Sequence, residues 1–549
     1  MKRGAWIAGP TSDLVWSVLC PVVSLLALTA VWRWSGLSDR AVYAIMFAFI
    51  VTGHHMPAWL RAFGEPTVYR RYKARLLTSF VVIPVLVLSL TLSGLGVVAL
   101  SVVAVFDLWH VAMQQHGMAR IYGAKAGDVG RASPWLDLAC TLTWYVTVVA
   151  LSDSWMAGLA AATRNLGVPV FDALGPEAWG AIQTLLVGVS LGLLAAYVAH
   201  AVVDHRRSGT SPILKHVVQA VAFGVLAYSY QDPSWHRAQS AQNLFHSLQN
   251  FFVIWVYGNL ALRKAAEAPP GSDRGSEGGS YRAFYRYFFA NRRGLPRYAL
   301  IIGLYGLLTY ILACFASGLN TGLITTADLP LLAADWTAAH GIEVLGSFGL
   351  ASVLLHYYAE GFIWKVRSKP VRATFDIERP GEVEPDELTE RPARGIAHAT
   401  VYFGLPALLF LGIGGTVRPE AATLASLRHE TGLFPRSAAV HSDYGEAALA
   451  AGDETTARAE LERALALSPT IRGPASTLLR LARARGDGEA ALRFAQAAVH
   501  AVPEDPDRRL ALAAELRAAG RLDEATLQEG EARSRGAAFV PSPDSWRQP

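Results

Sequence analysis

The sequence predicts an all-α protein: a polytopic transmembrane helical bundle of about eleven spans over residues 1–417, an α-solenoid of helical repeats over 418–535, and a disordered tail over 536–549. Three observations predict this. Of 549 residues, 52% are hydrophobic and 17% charged, with a mean hydropathy of +0.27, which is displaced from soluble domains towards membrane proteins. The charge is segregated: stretches such as Leu76–Leu92 hold none, whereas the chain beyond Pro419 is dense in Arg, Glu and Asp. In that C-terminal part residue types recur every 34 positions.

A bilayer core of about 30 Å needs roughly 20 apolar residues in a helix. Eleven segments qualify: 13–33, 41–60, 76–95, 97–121, the short 136–151, 178–202, 213–231, 238–261, 297–317, 341–364 and 398–416. Lys2 and Arg3 precede an apolar run with no small-residue cleavage site, so a retained first span is expected rather than a signal peptide. The net charge of +5 does not imply nucleic acid, because Lys and Arg cluster in short segments between apolar runs. Those segments (Lys2/Arg3, Arg61–Arg75, Arg120–Arg131, Arg206–Lys215, Arg263–Arg297, Lys365–Arg372) fall on alternate loops, and Gly318–Trp336 has neither residue. The positive-inside rule then places the N-terminus in the cytoplasm of a bacterial-type inner membrane and the repeats outside. Ala265–Ser280 and Ser368–Arg394 read as flexible linkers. Cys20, Cys140 and Cys314 lie singly in apolar runs, which suggests neither a disulfide framework nor a thiolate metal site.

Pro435, Pro469 and Pro503, Gly452, Gly486 and Gly520, and Ala457, Ala491 and Ala525 are each spaced by 34 residues. A turn Gly, a small residue where two helices touch and a Pro ending the second helix, at this period, resemble the tetratricopeptide repeat over about 438–535. The resemblance implies a groove for a protein or peptide. In the alternative the helices cap the membrane part.

Ionisable groups inside hydrocarbon are costly and mark functional candidates. The second span carries Gly53-His54-His55, the fourth Asp107, His110, Gln114 and His116, the eighth His246, and the tenth His356 and Glu360. Steps of three and four align Asp107, His110 and Gln114 on one stripe, and likewise His356 with Glu360. Gln239, Gln242, Asn243, His246, Gln249 and Asn250 form a polar stripe on the eighth span that is unlike a lipid-facing surface. At 1.5 Å per residue from the basic ends of their spans, His54, His110 and His356 share a layer about 10–15 Å deep. His246 lies nearer the outer half and needs tilt or a longer span to join them. Four imidazoles with Asp107 and Glu360 nearby suit iron, manganese or zinc, with His55, His116, Asn243, Gln249 and Asn250 as further contributors. Gly188 to Gly192 around Ser190 matches Gly-x-Ser-x-Gly but lies within a span, where small residues serve helix packing.

Gly53-His54-His55, Asp107 with Trp109-His110, and His246 within His-Ser-Leu-Gln-Asn resemble the intramembrane histidine pattern of the bacterial β-carotene dioxygenase family, without a second His near Gln249. That resemblance implies a histidine-bound iron acting on a lipid-soluble substrate. The leading expectation is a membrane oxygenase with His54, His110, His246 and His356 as ligands and Asp107, Glu360 and Gln114 as acting or orienting groups. A transporter with a polar or proton path and a non-enzymatic envelope scaffold are the alternatives.

Overall fold

The computed structural model describes residues 6–93, 95–128, 132–165, 167–208, 212–267, 279–289, 291–317, 341–364, 369–377, 392–400, 402 and 422–535. Every regular element among them is a helix. The first part of the chain forms α1 (Pro10–Trp34), α2 (Asp39–Gly64), α3 (Pro66–Leu92), α4 (Gly96–Lys125), α5 (Ser133–Ala150), α6 (Asp153–Asn165), α7 (Pro176–Ser208), α8 (Ile213–Ser229) and α9 (Trp235–Glu267). It continues with α10 (Gly279–Phe289), α11 (Asn291–Ser317), α12 (Gly341–Ile363), α13 (Lys369–Thr374) and α14 (Pro392–Ala399).

Four helices among the described residues are long and apolar enough to cross a membrane: α1, α2, α3 and Pro176–Arg207 within α7. A fifth is possible if α5 and α6, bent by 83°, count as one span. This is fewer than the eleven expected. Helices occupy most of the other expected places, but α8 has only 17 residues, and α9 is polar through its first half, from His236 to Asn250. The reason for α9 is its position. It packs against α1, α2, α8, α10 and α13 and is buried almost continuously from Ala238 to Gly258, so it meets protein rather than lipid. Burial elsewhere separates centre from periphery: 67% of the apolar window of α2 is buried, against 11% for α7. The eleventh expected span lies almost wholly outside the described residues, as does the tail. Part of the second expected linker is ordered instead: residues 369–377 bury Val371, Phe375 and Ile377 against Ile121, Tyr122, Val218 and Tyr257, and the Lys125 ammonium donates to the Phe375 carbonyl at 2.7 Å.

Two prolines shape the site's neighbourhood. Pro21 cannot donate to the Ser17 carbonyl, which is taken instead by the Gln249 amide of α9 at 3.2 Å. In α2, Pro57 disfavours a regular ladder over the preceding turn. A π-helical stretch at Phe47–Val51 is followed by His55 N–H on the Thr52 carbonyl and Met56 N–H on the Gly53 carbonyl, both at 3.1 Å. This rewinding matters because neighbouring residues on a regular helix point about 100° apart. α11 lies directly on the π-helical stretch. A Cβ at Gly306 would strike the Ala48 carbonyl oxygen and come within 3.1 Å of the Phe49 Cα, whereas one at Gly303 meets nothing. Gly306→Ala is therefore expected to destabilise the protein by roughly 1–3 kcal/mol, read as a lower unfolding temperature in detergent; Gly303→Ala should leave it unchanged. Equal behaviour of the two variants would refute the close contact.

From Leu424 the chain forms α15 (Leu424–Leu433), α16 (Ala438–Ala450), α17 (Glu454–Leu467), α18 (Pro474–Ala484), α19 (Gly488–Ala501), α20 (Pro506–Ala518) and α21 (Leu522–Ser534), each packed on the next. Gly452, Gly486 and Gly520 all hold positive φ (84°, 72° and 76°) at the turn closing a helix, where a side chain would be strained. Asp453 and Asp487 cap the following helices by accepting from Thr456 N–H and Ala490 N–H, both at 3.0 Å. These bonds hold the Asp453 carboxyl below the usual range, the Thr456 side chain contributing most. Ala457, Ala491 and Ala525 are fully buried at the helix contacts.

This layer docks on the end of the bundle opposite the basic loops. The Ser38 hydroxyl donates to Glu504 at 2.5 Å, the Thr470 hydroxyl to Asp39 at 2.6 Å, and Arg436 N–H to Asp153 at 2.8 Å. Arg164 and Glu430 form a buried ion pair.

Candidate metal centre

Five histidines from four helices converge in the centre of the bundle: His54 and His55 from α2, His110 from α4, His246 from α9 and His356 from α12. All are buried, from 0% exposed for His356 to 7% for His110. Ring centroids of His54 lie 4.8 Å from His55, 4.9 Å from His246 and 4.6 Å from His356; His110 lies 4.9 Å from His246 and 4.8 Å from His356. The four histidines expected as ligands are thus brought together, and His55, expected only as a contributor, is fully part of the cluster at 4.2 Å from His356. The rewound turn before Pro57 is what allows adjacent histidines to face one site.

Ligand atoms fall into three overlapping groups, His54/His110/His246, His54/His55/His356 and His110/His356/Glu360, each with its atoms within 4.8 Å of one another. In the last, the Nε2 atoms of His110 and His356 are 3.3 Å apart, and Glu360 Oε2 lies 3.7 and 3.9 Å from them. The centre of that triangle is about 2.1 Å from each corner, which is the length of a metal–imidazole or metal–carboxylate bond. Several ring nitrogens have no partner among the described residues: His54 Nε2, His55 Nδ1, His356 Nδ1 and both nitrogens of His246. Buried polar atoms are almost always satisfied, so this concentration marks a site built for something besides protein hydrogen bonds.

The surrounding polar groups fix the ligands. His54 Nδ1 is engaged by the Val51 carbonyl and lies 3.2 Å from the Ser247 hydroxyl, which leaves Nε2 for the site. The Gln114 amide donates to the His246 carbonyl at 2.8 Å; Asn250 donates to Gln114 at 3.3 Å and to Glu360 Oε1 at 3.2 Å. Asp107 is outside the three groups. It accepts from the Tyr357 hydroxyl and the Gln239 amide, both at 2.8 Å, and so steadies Tyr357, whose ring lies 4.8 Å from that of His110. Gln249 bridges helices, accepting from Gln115 at 2.8 Å. Asn243 is buried with Oδ1 unpaired among the described residues, and His116 belongs to none of the groups. Tyr357 was not singled out in the sequence, although its place next to His356 is visible there.

A cavity of about 840 Å³ has His110, Gln114, Asn250 and Glu360 in its lining. Its walls are mainly apolar, including Phe106, Trp109, Met113, Val253, Ile254 and Trp364. The chain matches no protein-family model, no curated protein and no solved structure.

Proposed function

We propose that the chain is an integral membrane metalloenzyme, a non-haem iron oxygenase acting on a lipid-soluble substrate, with its C-terminal helices forming a tetratricopeptide-type domain for a protein or peptide partner. One observation carries this reading: the His110, His356 and Glu360 triangle is of metal-binding size, and two of its members, His110 and Glu360, line a large, mainly apolar cavity. Two imidazoles and one carboxylate on one side of an octahedral ion leave other positions open, the donor set used by non-haem iron oxygenases. Manganese and zinc are the alternative occupants. The cavity lies in the range of about 300–1,000 Å³ common to small-molecule sites. Trp109, 42% exposed on α4, also lines it, which supports a substrate route from the bilayer in this reading.

Three amides of the polar stripe on α9 are engaged between helices: Gln239 with Asp107, Gln249 with Gln115, and Asn250 with Gln114 and Glu360. This favours a scaffold around a fixed centre over a transport path. In the same reading the bundle lies in an inner membrane, the basic loops are cytoplasmic, and the repeats lie outside.

Metal analysis of the full chain purified in detergent tests the proposal. Stoichiometric iron, lost on His356→Ala, and oxygen uptake dependent on an apolar polyene or lipid are expected. Absence of any stoichiometric metal would sink the reading.

A further inference from the structure

The cavity beside the triangle is long in one direction. On α4 its lining runs from Phe106 through His110, Gln114 and Gly117 to Ile121, about 22 Å along the helix axis. On α9 it runs only from Gln249 to Ile254 and on α12 from Tyr357 to Trp364, about 8 and 10 Å. A volume of about 840 Å³ spread over the length set by α4 is a channel rather than a chamber. The triangle stands off centre in it. His110 is four residues from Phe106 and eleven from Ile121, so the channel continues about 6 Å to one side and about 16 Å to the other. The longer arm runs towards the basic end of α4 and is apolar: Met118, Ile121 and Val253 line it, and they pack in one cluster with Val371 and Phe375, which closes that end.

Gly117 lies seven residues from His110, partway along this arm. A glycine inside a helix weakens it relative to alanine and is kept where the backbone needs a positive φ or a close neighbour leaves no room for a Cβ. Neither holds here. Gly117 is not among the residues with positive φ, and a Cβ on it would meet nothing within 4 Å, in contrast to Gly306. What the missing side chain leaves open is the channel itself. We propose that Gly117 is a specificity-determining residue, and that the ligand is an apolar, chain-like molecule with its reacting end at the triangle and an arm passing over Gly117 as far as Ile121. The assignment of the reacting end rests on the reading of the triangle as a metal centre.

The test uses the full-length protein in detergent, immobilised, with two tritiated straight-chain primary alcohols as probes. One is about 10 Å long when extended and the other about 16 Å, matching the distances along α4 from His110 to Gly117 and to Ile121. Both are expected to bind the native protein. Gly117→Phe should lower the affinity for the long alcohol by about tenfold or more, the scale on which an apolar pocket discriminates by single methylene groups, and leave that for the short one within about twofold. Gly192→Phe, the same change at an exposed position of α7 where a Cβ also meets nothing, should alter neither. Should Gly117→Phe elute as aggregate, Gly117→Leu is expected to give the same selective loss. Equal loss of both alcohols, or a long alcohol held as tightly by the Gly117 variants as by the native protein, would overturn the role of Gly117. Metal is counted on the same samples. Selective loss in a protein that takes up no metal would overturn the metalloenzyme reading and keep the channel; stoichiometric metal without the selective loss would do the reverse.

Discussion

Glu360→Gln is expected to weaken metal binding in the triangle by more than the roughly 10–100-fold that follows loss of a ligand's hydrogen-bond partner, while leaving the helix bundle in place. Glu360 Oε1 accepts from Asn250, and Oε2 faces the two imidazoles. A glutamine that keeps the bond to Asn250 through its carbonyl oxygen turns its NH₂ towards the ion. That group has neither the charge nor the lone pair of a carboxylate oxygen. Asn250→Ala keeps the Glu360 carboxylate but removes the hydrogen bonds to Glu360 and Gln114, and should fall within the roughly 10–100-fold range. Chelator competition on the two variants measures both. Native-like affinity in Glu360→Gln would show that the triangle is not a metal site.

The order of these two effects follows from features that were visible in the sequence to different degrees. Histidines at similar depth on alternate spans, and the i, i+4 spacing of His356 and Glu360, already indicated a shared layer. His246 was placed too far towards the outer half because its depth was measured from Arg263. α9 runs for 33 residues, well beyond a straight bilayer crossing, so its basic end is no depth marker. His55 was undervalued because a regular helix would turn it away from His54. The π-helical stretch and the Gly53–Pro57 turn change that, and irregularity of this kind depends on packing against α11 that no local pattern reveals.

The count of spans was misjudged for a related reason. Apolar length was taken as evidence of lipid contact, but a helix in the middle of a large bundle meets other helices and is free to be polar. The repeat part behaved oppositely. Its periodic Gly and Ala positions act locally, through one turn or one helix contact, so their spacing transferred directly to helix ends and buried alanines.

Arg61→Leu is expected to destabilise the protein by about 3–5 kcal/mol, the typical cost of leaving a buried charge without its partner. Arg61 was read in the sequence as a cytoplasmic flank of the second span, but its side chain is buried. Its guanidinium lies 3.7 Å from the Trp364 ring and 4.1 Å from that of Tyr257, and its Nε donates to Glu65 at 3.1 Å. Glu65 also accepts from the Tyr257 hydroxyl at 2.8 Å. The arrangement joins α2 to α9 and to Trp364, two turns below the histidine pair. Removing the cation strands Glu65 among aromatic rings and loosens the segment that sets the height of His54 and His55. Arg61→Leu combined with Glu65→Gln removes both charges, and because an apolar replacement of a whole buried pair is often close to neutral, most of the lost stability should return. Unfolding in detergent with increasing denaturant measures the difference. A double variant as unstable as the single one would mean that Arg61 acts through packing on Trp364 and Tyr257 rather than through its charge, and metal content measured on the same samples would show whether that packing also holds the site together.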